Sequence, residues 1–251
     1  MQDKRRPMNL SAEEKLMYEV MRAIYESGIP VDFKGSMVLK ACLAEAGYSE
    51  DTRHTIDIDA NWHSETVPSP KEMTDSIQNA LDRHGLNLDV VNKRAYGEGR
   101  SAGFKVYDRS TDDVLFTMDM DVNRPSLPAR IYEVSGLKFS GASPAQIITD
   151  KISAISTEKV FRRIKDVVDI YYISRITDFD KESFLYALRM TRRELGDFDA
   201  FLNHEDELRH AYGKFRFAGD VSKPSFDEIY SSVKSFIHPV IPRERILEHE
   251  R

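Results

Sequence analysis

Hydrophobic and polar positions along this chain change period several times, and each change marks an element. Ser11 with Glu14 forms a capping box, and Leu16, Val20, Ala23 and Ile24 recur at helical spacing until Gly28 and Pro30. Val31 to Lys34 reads as a short strand. Gly35-Ser36 follows, and Met37, Val38, Cys42 and Leu43 predict a helix to Gly47. In Arg53 to Asp59, period 2 places Ile56 and Ile58 on one face and Thr55, Asp57 and Asp59 on the other. Ser69 as cap, Pro70 at the first helical position and Met73, Ile77, Ala80 and Leu81 predict a helix ending at Gly85. Strand-like runs come next at 86–91, 102–107, 114–122 and 132–139. From Ser143 the pattern turns helical: a helix from Pro144 with Ile147, Ile148 and Ala154, then helices at 160–173, 181–195, 197–212 and 225–236. The expected class is α+β. A mixed sheet flanked by helices occupies residues 1–142, and a helical C-terminal region occupies 143–251.

The chemistry concentrates on the strand faces that carry acids. Asp57 and Asp59 project side by side, roughly 7 Å apart along a strand. Two like charges at that spacing repel, and a divalent cation between them relieves the repulsion. Asp119 and Asp121 repeat the pattern, with Phe116, Met118, Met120 and Val122 on the opposite face. Gly35 lets a phosphate approach the backbone, Ser36 offers a hydroxyl, and the helix that follows offers N–H groups and a positive dipole end. Each feature alone also has a plainer reading, as a solvated strand face or an ordinary turn and cap. Together they describe a nucleotidyl-transfer site, with carboxylates holding metal ions against a triphosphate beside a Gly-Ser turn.

Composition narrows the setting. The 251 residues are 41% hydrophobic, enough for a packed core. No run matches a membrane span, and Met1 to Asn9 has no apolar leader core, so a cytoplasmic, non-membrane protein is expected. The single cysteine, Cys42, sits in an apolar helical pattern and reads as a small core residue. His63 carries no assigned role. The net charge of -6 argues against a general nucleic-acid coat. A local basic set remains at Lys159, Arg162, Arg163, Lys165, Arg175, Lys181, Arg189, Arg192 and Arg193.

Four ordered motifs carry a family resemblance. They are Lys34-Gly35-Ser36 before a helix, Arg53-x-Thr55-x-Asp57-Ile58-Asp59, Asp150-Lys151-x-x-Ala154, and Arg163-x-Lys165-Asp166-x-x-Asp169. Over roughly residues 30–175 the chain resembles the nucleotidyltransferase superfamily of the DNA polymerase β type, and within it the AbiEii/AbiGii type IV toxin family. That family reads Lys-Gly-Gly-Thr, Arg-x-Ser-x-Asp-x-Asp, Glu-Lys-x-x-Ala and Arg-Asp-x-x-Asp. Here Ser36 replaces the second glycine, Thr55 replaces serine, Asp150 replaces glutamate, and Lys165 stands where arginine precedes the aspartate. These changes preserve the charge type of each position.

The resemblance implies a nucleotidyltransferase-like fold and a set of roles. Asp57, Asp59 and a third acid would bind Mg²⁺ or Mn²⁺. The third acid is Asp121 or Asp119, with Asp121 preferred because Asp-Val-Asn at a strand end looks like the family's pattern. Gly35, Ser36, Arg53 and Thr55 would hold the NTP. Lys151 would contact nucleotide phosphates as a catalytic cation, and Asp166 would join the active centre. The implied activity is transfer of NMP from an NTP to RNA, such as the tRNA 3′ end, or to a protein hydroxyl. The implied setting is a toxin–antitoxin or phage-defence pair with a cognate antitoxin encoded nearby. A small-molecule (antibiotic-type) nucleotidyltransferase and a catalytically inactive nucleotide-binding protein are the alternatives.

Overall fold

The computed structural model describes residues 10–48, 55–96, 100–215, 217 and 223–242. They form two compact units that divide between Ser143 and Pro144.

The first unit is built on a seven-stranded mixed sheet. Its elements, in order, are α1 (Ala12–Glu26), β1 (Val31–Lys34), α2 (Gly35–Glu45), β2 (Asp57–Trp62), α3 (Pro70–Arg83), β3 (Leu88–Tyr96), β4 (Ser101–Asp108), β5 (Val114–Val122), β6 (Arg130–Val134) and β7 (Leu137–Gly141). The spatial order is β3-β4-β5-β2-β1-β7-β6. Two pairings are parallel, β2 with β5 and β1 with β7, and the others are antiparallel.

Local signals explain most of these elements. The Ser11/Glu14 and Ser69/Glu72 capping boxes both form. In α3 the buried residues are Met73, Ile77, Ala80 and Leu81, the stripe that the spacing predicts. Phe33, Ile58, Met118 and Phe139 alternate inward along their strands. Phe139 is the centre of a ring cluster, with centroids 5.7 Å from Tyr18, 6.1 Å from Phe33 and 5.6 Å from Tyr132. Tyr18 of α1 also donates from its hydroxyl to the carbonyl of Met37 in α2, at 2.8 Å. Buried Lys40 of α2 pairs with buried Glu14 of α1. The start of α2 is thereby tied to the first helix.

Two local expectations are corrected. Residues 132–139 are not one strand. Ser135 and Gly136, at φ 51° and 82°, turn the chain into the β6–β7 hairpin. Ile56 does not share the buried face of Ile58, because the strand begins at Asp57 and Ile56 remains 57% exposed. His63 acquires a neighbour: its Nε2 lies 2.8 Å from Asp32 Oδ2, within ion-pair range but without hydrogen-bond alignment.

The second unit is helical: α4 (Pro144–Ile155), a 3-10 turn at Val160–Arg163, α5 (Ile164–Ser174), α6 (Lys181–Met190), α7 (Asp199–Asn203), α8 (Glu205–Lys214) and α9 (Phe226–Ile237). The pattern at 197–212 splits into α7 and α8 at His204, and that at 160–173 opens with the 3-10 turn. Helix α5 packs against α4 and α9 and is buried along most of its length. Among the described residues no helix is long and apolar enough to cross a membrane.

Candidate active site

Strand register gathers Asp32, Asp59, Asp119 and Asp121 of the first unit into two adjacent rows on one sheet face. One row runs Lys34, Asp59, Asp119, Gly103, Arg94 across β1, β2, β5, β4 and β3. The next runs Asp32, Asn61, Asp121, Ser101. Asp57 sits one pleat further along β2, beside Thr117. The opposite face is the apolar core, so alternation alone keeps these polar groups together.

The Gly-Ser turn is bound to the Asp-x-Asp strand by a short hydroxyl chain. Thr55 Oγ1 donates to Asp57 Oδ1 at 2.9 Å. With its proton used there, Thr55 accepts from Ser36 Oγ at 2.7 Å. Both hydroxyl residues are buried. Gly35 has φ +71° and lies against the Asp59 carboxylate; a Cβ there would fall 3.1 Å from Asp59 Cβ and Cγ and closer still to Oδ2. Glycine is required at 35 for both its backbone conformation and this approach. Helix α2 starts here without a side-chain cap.

Asp121 is held between two cations. Lys34 Nζ is 2.5 Å and Arg124 Nη1 2.9 Å from its Oδ2. Burial pushes the Asp121 carboxyl up, but Lys34 and Arg124 outweigh it and hold the group below the usual carboxylate range. Arg124 is itself positioned by buried Asn61, whose amide donates to the Arg124 carbonyl at 2.9 Å and accepts from its N–H at 3.0 Å. Asp119 accepts from Arg94 Nη2 at 3.2 and 3.3 Å. An open cavity of about 290 Å³ is lined by Lys34, Asp59, Arg94, Asp119, Asp121 and Arg124, among others.

A second polar cluster lies within the helical unit. Lys151 of α4 reaches Asp166 Oδ1 at 2.9 Å and Asp169 Oδ2 at 2.7 Å, both from the first turns of α5. All three are less than a tenth exposed. Asp150 is bound by Arg193, at 2.8 Å from Nε and 2.7 Å from Nη2. The motif residues Lys151, Asp166 and Asp169 thus form ion pairs from α4 to α5, and Asp150 pairs with Arg193 in the segment after α6.

A family model, the nucleotidyl transferase AbiEii toxin of type IV toxin–antitoxin systems, matches residues 21–232. The chain belongs to the AbiEii nucleotidyltransferase toxin family. Among solved structures, it is similar to MenT4, a nucleotidyltransferase toxin from Mycobacterium tuberculosis H37Rv. That match has 12% identity and a TM-score of 0.55, over 94% of this chain and 85% of that one. An antigenic nucleotidyltransferase-like protein from Paracoccidioides brasiliensis aligns at 13% identity and a TM-score of 0.44, over 78% of this chain and all of that one. Comparison with curated protein sequences gave no match.

Within this AbiEii-family chain, the structure brings Gly35, Ser36, Thr55, Asp57, Asp59, Asp119 and Asp121 onto one region of the first unit. Lys151 and Asp166 meet each other in the second. Arg53 lies outside the described residues. Sequence reasoning missed Arg94, Arg124 and Asn61, and quoted Lys34 without a role. Their placement depends on strand register, on a β-bulge and on the loop after β5, and none of these has a local sequence signal.

Proposed function

We propose that this AbiEii-family nucleotidyltransferase moves an NMP from an NTP to a hydroxyl on RNA, such as the tRNA 3′ end, or on protein, using Mg²⁺ or Mn²⁺. The observation that carries the reading is the hydroxyl-linked pairing of the Gly35-Ser36 helix start with Asp57 and Asp59 on β2. Carboxylates of Asp57, Asp59 and Asp121 are hard oxygen donors of the kind magnesium takes. Among the described residues no three His, Cys, Asp or Glu side chains converge into a preformed metal cluster. Substrate phosphates would complete the coordination of an ion held by these acids. When bound, the ion would neutralise charge on the attacking and leaving oxygens.

The chain's own residues supply the rest. Gly35 and the start of α2 receive the outgoing phosphates, with Ser36 fixed by Thr55. The acceptor oxygen bonds to the α-phosphorus as its bond to the β-phosphate oxygen breaks. Pyrophosphate leaves, and a carboxylate of the Asp-x-Asp strand takes the hydroxyl proton. Asp121 serves as the third acid, kept ionised by Lys34 and Arg124. The family motif supports a role for Lys151 as a phosphate-contacting cation, with Asp166 as its ion-pair partner. The toxin acts in the cytoplasm within a phage-defence pair, opposed by an antitoxin that need not touch it. The exposed basic residues at Lys159, Arg162 and Arg163 offer a guide for RNA.

The test is label transfer from each of four α-³²P-NTPs, with Mg²⁺, into total RNA and total protein, beside an Asp57→Ala, Asp59→Ala control. Label that vanishes in the control is expected. Label that persists in the control removes these acids from the chemistry.

A further inference from the structure

Arg94 reaches the candidate site from the outermost strand by an unusual route. β4 runs between β3 and β5, and register puts Gly103 between Arg94 and Asp119. A Cβ at 103 would lie 2.7 Å from Arg94 Nε, 2.9 Å from Arg94 Cγ and 2.9 Å from Asp119 Oδ1. The missing side chain is what lets the arginine cross the strand. The register of β3 also shifts between Asn92 and Arg94. Without that bulge Arg94 would oppose Ala102 and point to the apolar face.

Stability does not account for these two devices. The pair is solvent-accessible, with side chains 53% and 46% exposed, and exposed ion pairs contribute little. A glycine inside a strand weakens it by a comparable amount. The Asp119 carboxylate lies against Gly103, while that of Asp59 lies against Gly35. Both members of the pair line the cavity that Lys34 and Arg124 share.

We propose that Arg94 binds the phosphate chain of the nucleotide, and that Asp119 is a positioning residue that holds the guanidinium across Gly103 and into the cavity. The proposal rests on the nucleotidyltransferase reading of this site. A planar guanidinium suits two phosphate oxygens at once. The two β5 acids then have different tasks: Asp121 serves the metal, and Asp119 serves the arginine.

Calorimetric titration of the full chain with each of the four Mg-NTPs, their diphosphates and their nucleosides tests it. Arg94→Ala is expected to weaken NTP binding about five- to tenfold, with a smaller loss for diphosphates and none for nucleosides. Arg94→Lys should recover part of the loss. Asp119→Asn is expected to weaken NTP binding about two- to threefold, and to add nothing in the Arg94→Ala background. Gly103→Ala keeps both charges and should match Asp119→Asn. In steady state, KM for NTP rises in Arg94→Ala while kcat stays within about twofold. Circular dichroism melting shows that each variant is folded. Unchanged NTP affinity in Arg94→Ala, full additivity of the two substitutions, or a loss confined to acceptor RNA would each overturn the proposal. In those cases NMP transfer by the wild type leaves the parent reading standing. A wild type that binds none of the four NTPs and transfers no label removes both.

Discussion

Gly35→Ala separates backbone strain from displacement of the Asp59 carboxylate, to which the proposed mechanism gives a catalytic role. Alanine at φ +71° costs roughly 1–2 kcal/mol from its conformation alone. Its Cβ would also fall 3.1 Å from Asp59 Cβ and Cγ and nearer still to Oδ2, so the carboxylate must move by about 1 Å. A shift of that size in a reacting group costs about 100-fold in rate. Gly28 provides the control. It has nearly the same φ, +70°, at the end of α1, and nothing lies within 4 Å of its notional Cβ. Gly28→Ala should therefore share the strain and spare the site. Both variants should melt lower by about 2–8 °C, with Gly35→Ala the lower of the two. Initial rates of NMP transfer at 25 °C, below both transitions, should fall about 100-fold for Gly35→Ala only. A Gly35→Ala rate within threefold of wild type would refute the argument, as would an equal rate loss in Gly28→Ala.

Three further outcomes follow from the packing. Lys151→Ala strips the shared ammonium from buried Asp166 and Asp169 and should cost about 3–5 kcal/mol in denaturant unfolding; a loss under about 1 kcal/mol contradicts the pairing. Burial pushes the Cys42 thiol up to about 11, so at pH 8 the native protein should react with a thiol reagent at least about 100-fold more slowly than the unfolded chain; similar rates would show Cys42 to be accessible. The Asp121 carboxyl is lowered on folding, so its ion pairs stabilise the native state at neutral pH and are lost as pH falls through the lowered value. Wild type should therefore exceed Asp121→Asn in stability at pH 7, with the gap closing below about pH 4; a gap that widens in acid refutes this.

What was legible in the chain follows the range of the forces involved. The α3 stripe and its Ser69/Glu72 box are set within one or two turns of helix, and both were readable. So was the shared face of Asp57 and Asp59, because pleating is local. The Ser135-Gly136 hairpin was missed because the runs on either side both favour strand and the turn is only two residues long. Ile56 was misplaced because periodicity does not mark where pairing begins. Asp166 and Asp169 share Lys151, which lies on another helix, and such pairing across elements has no periodicity to betray it. Arg94 depends on a bulge and on Gly103, and a glycine within a strand-like run does not reveal which side chain will cross it. The family motifs supplied Lys151 and Asp166, which no spacing rule would have selected.

The parallel pairing of β2 with β5 also bears on how the toxin comes into being. Residues 57–62 have their neighbours at 117–122, so the acid face is a product of long-range closure, formed late in folding relative to any hairpin or helix. During synthesis at about 5–20 residues per second, Asp57 and Asp59 emerge seconds before the strand that completes their row. An unfinished chain released in that interval carries the Asp-x-Asp pair without Asp121, Lys151 or Asp166. Under the proposed mechanism such a fragment lacks the third acid and the Lys151 cation, so premature termination is expected to yield inactive products.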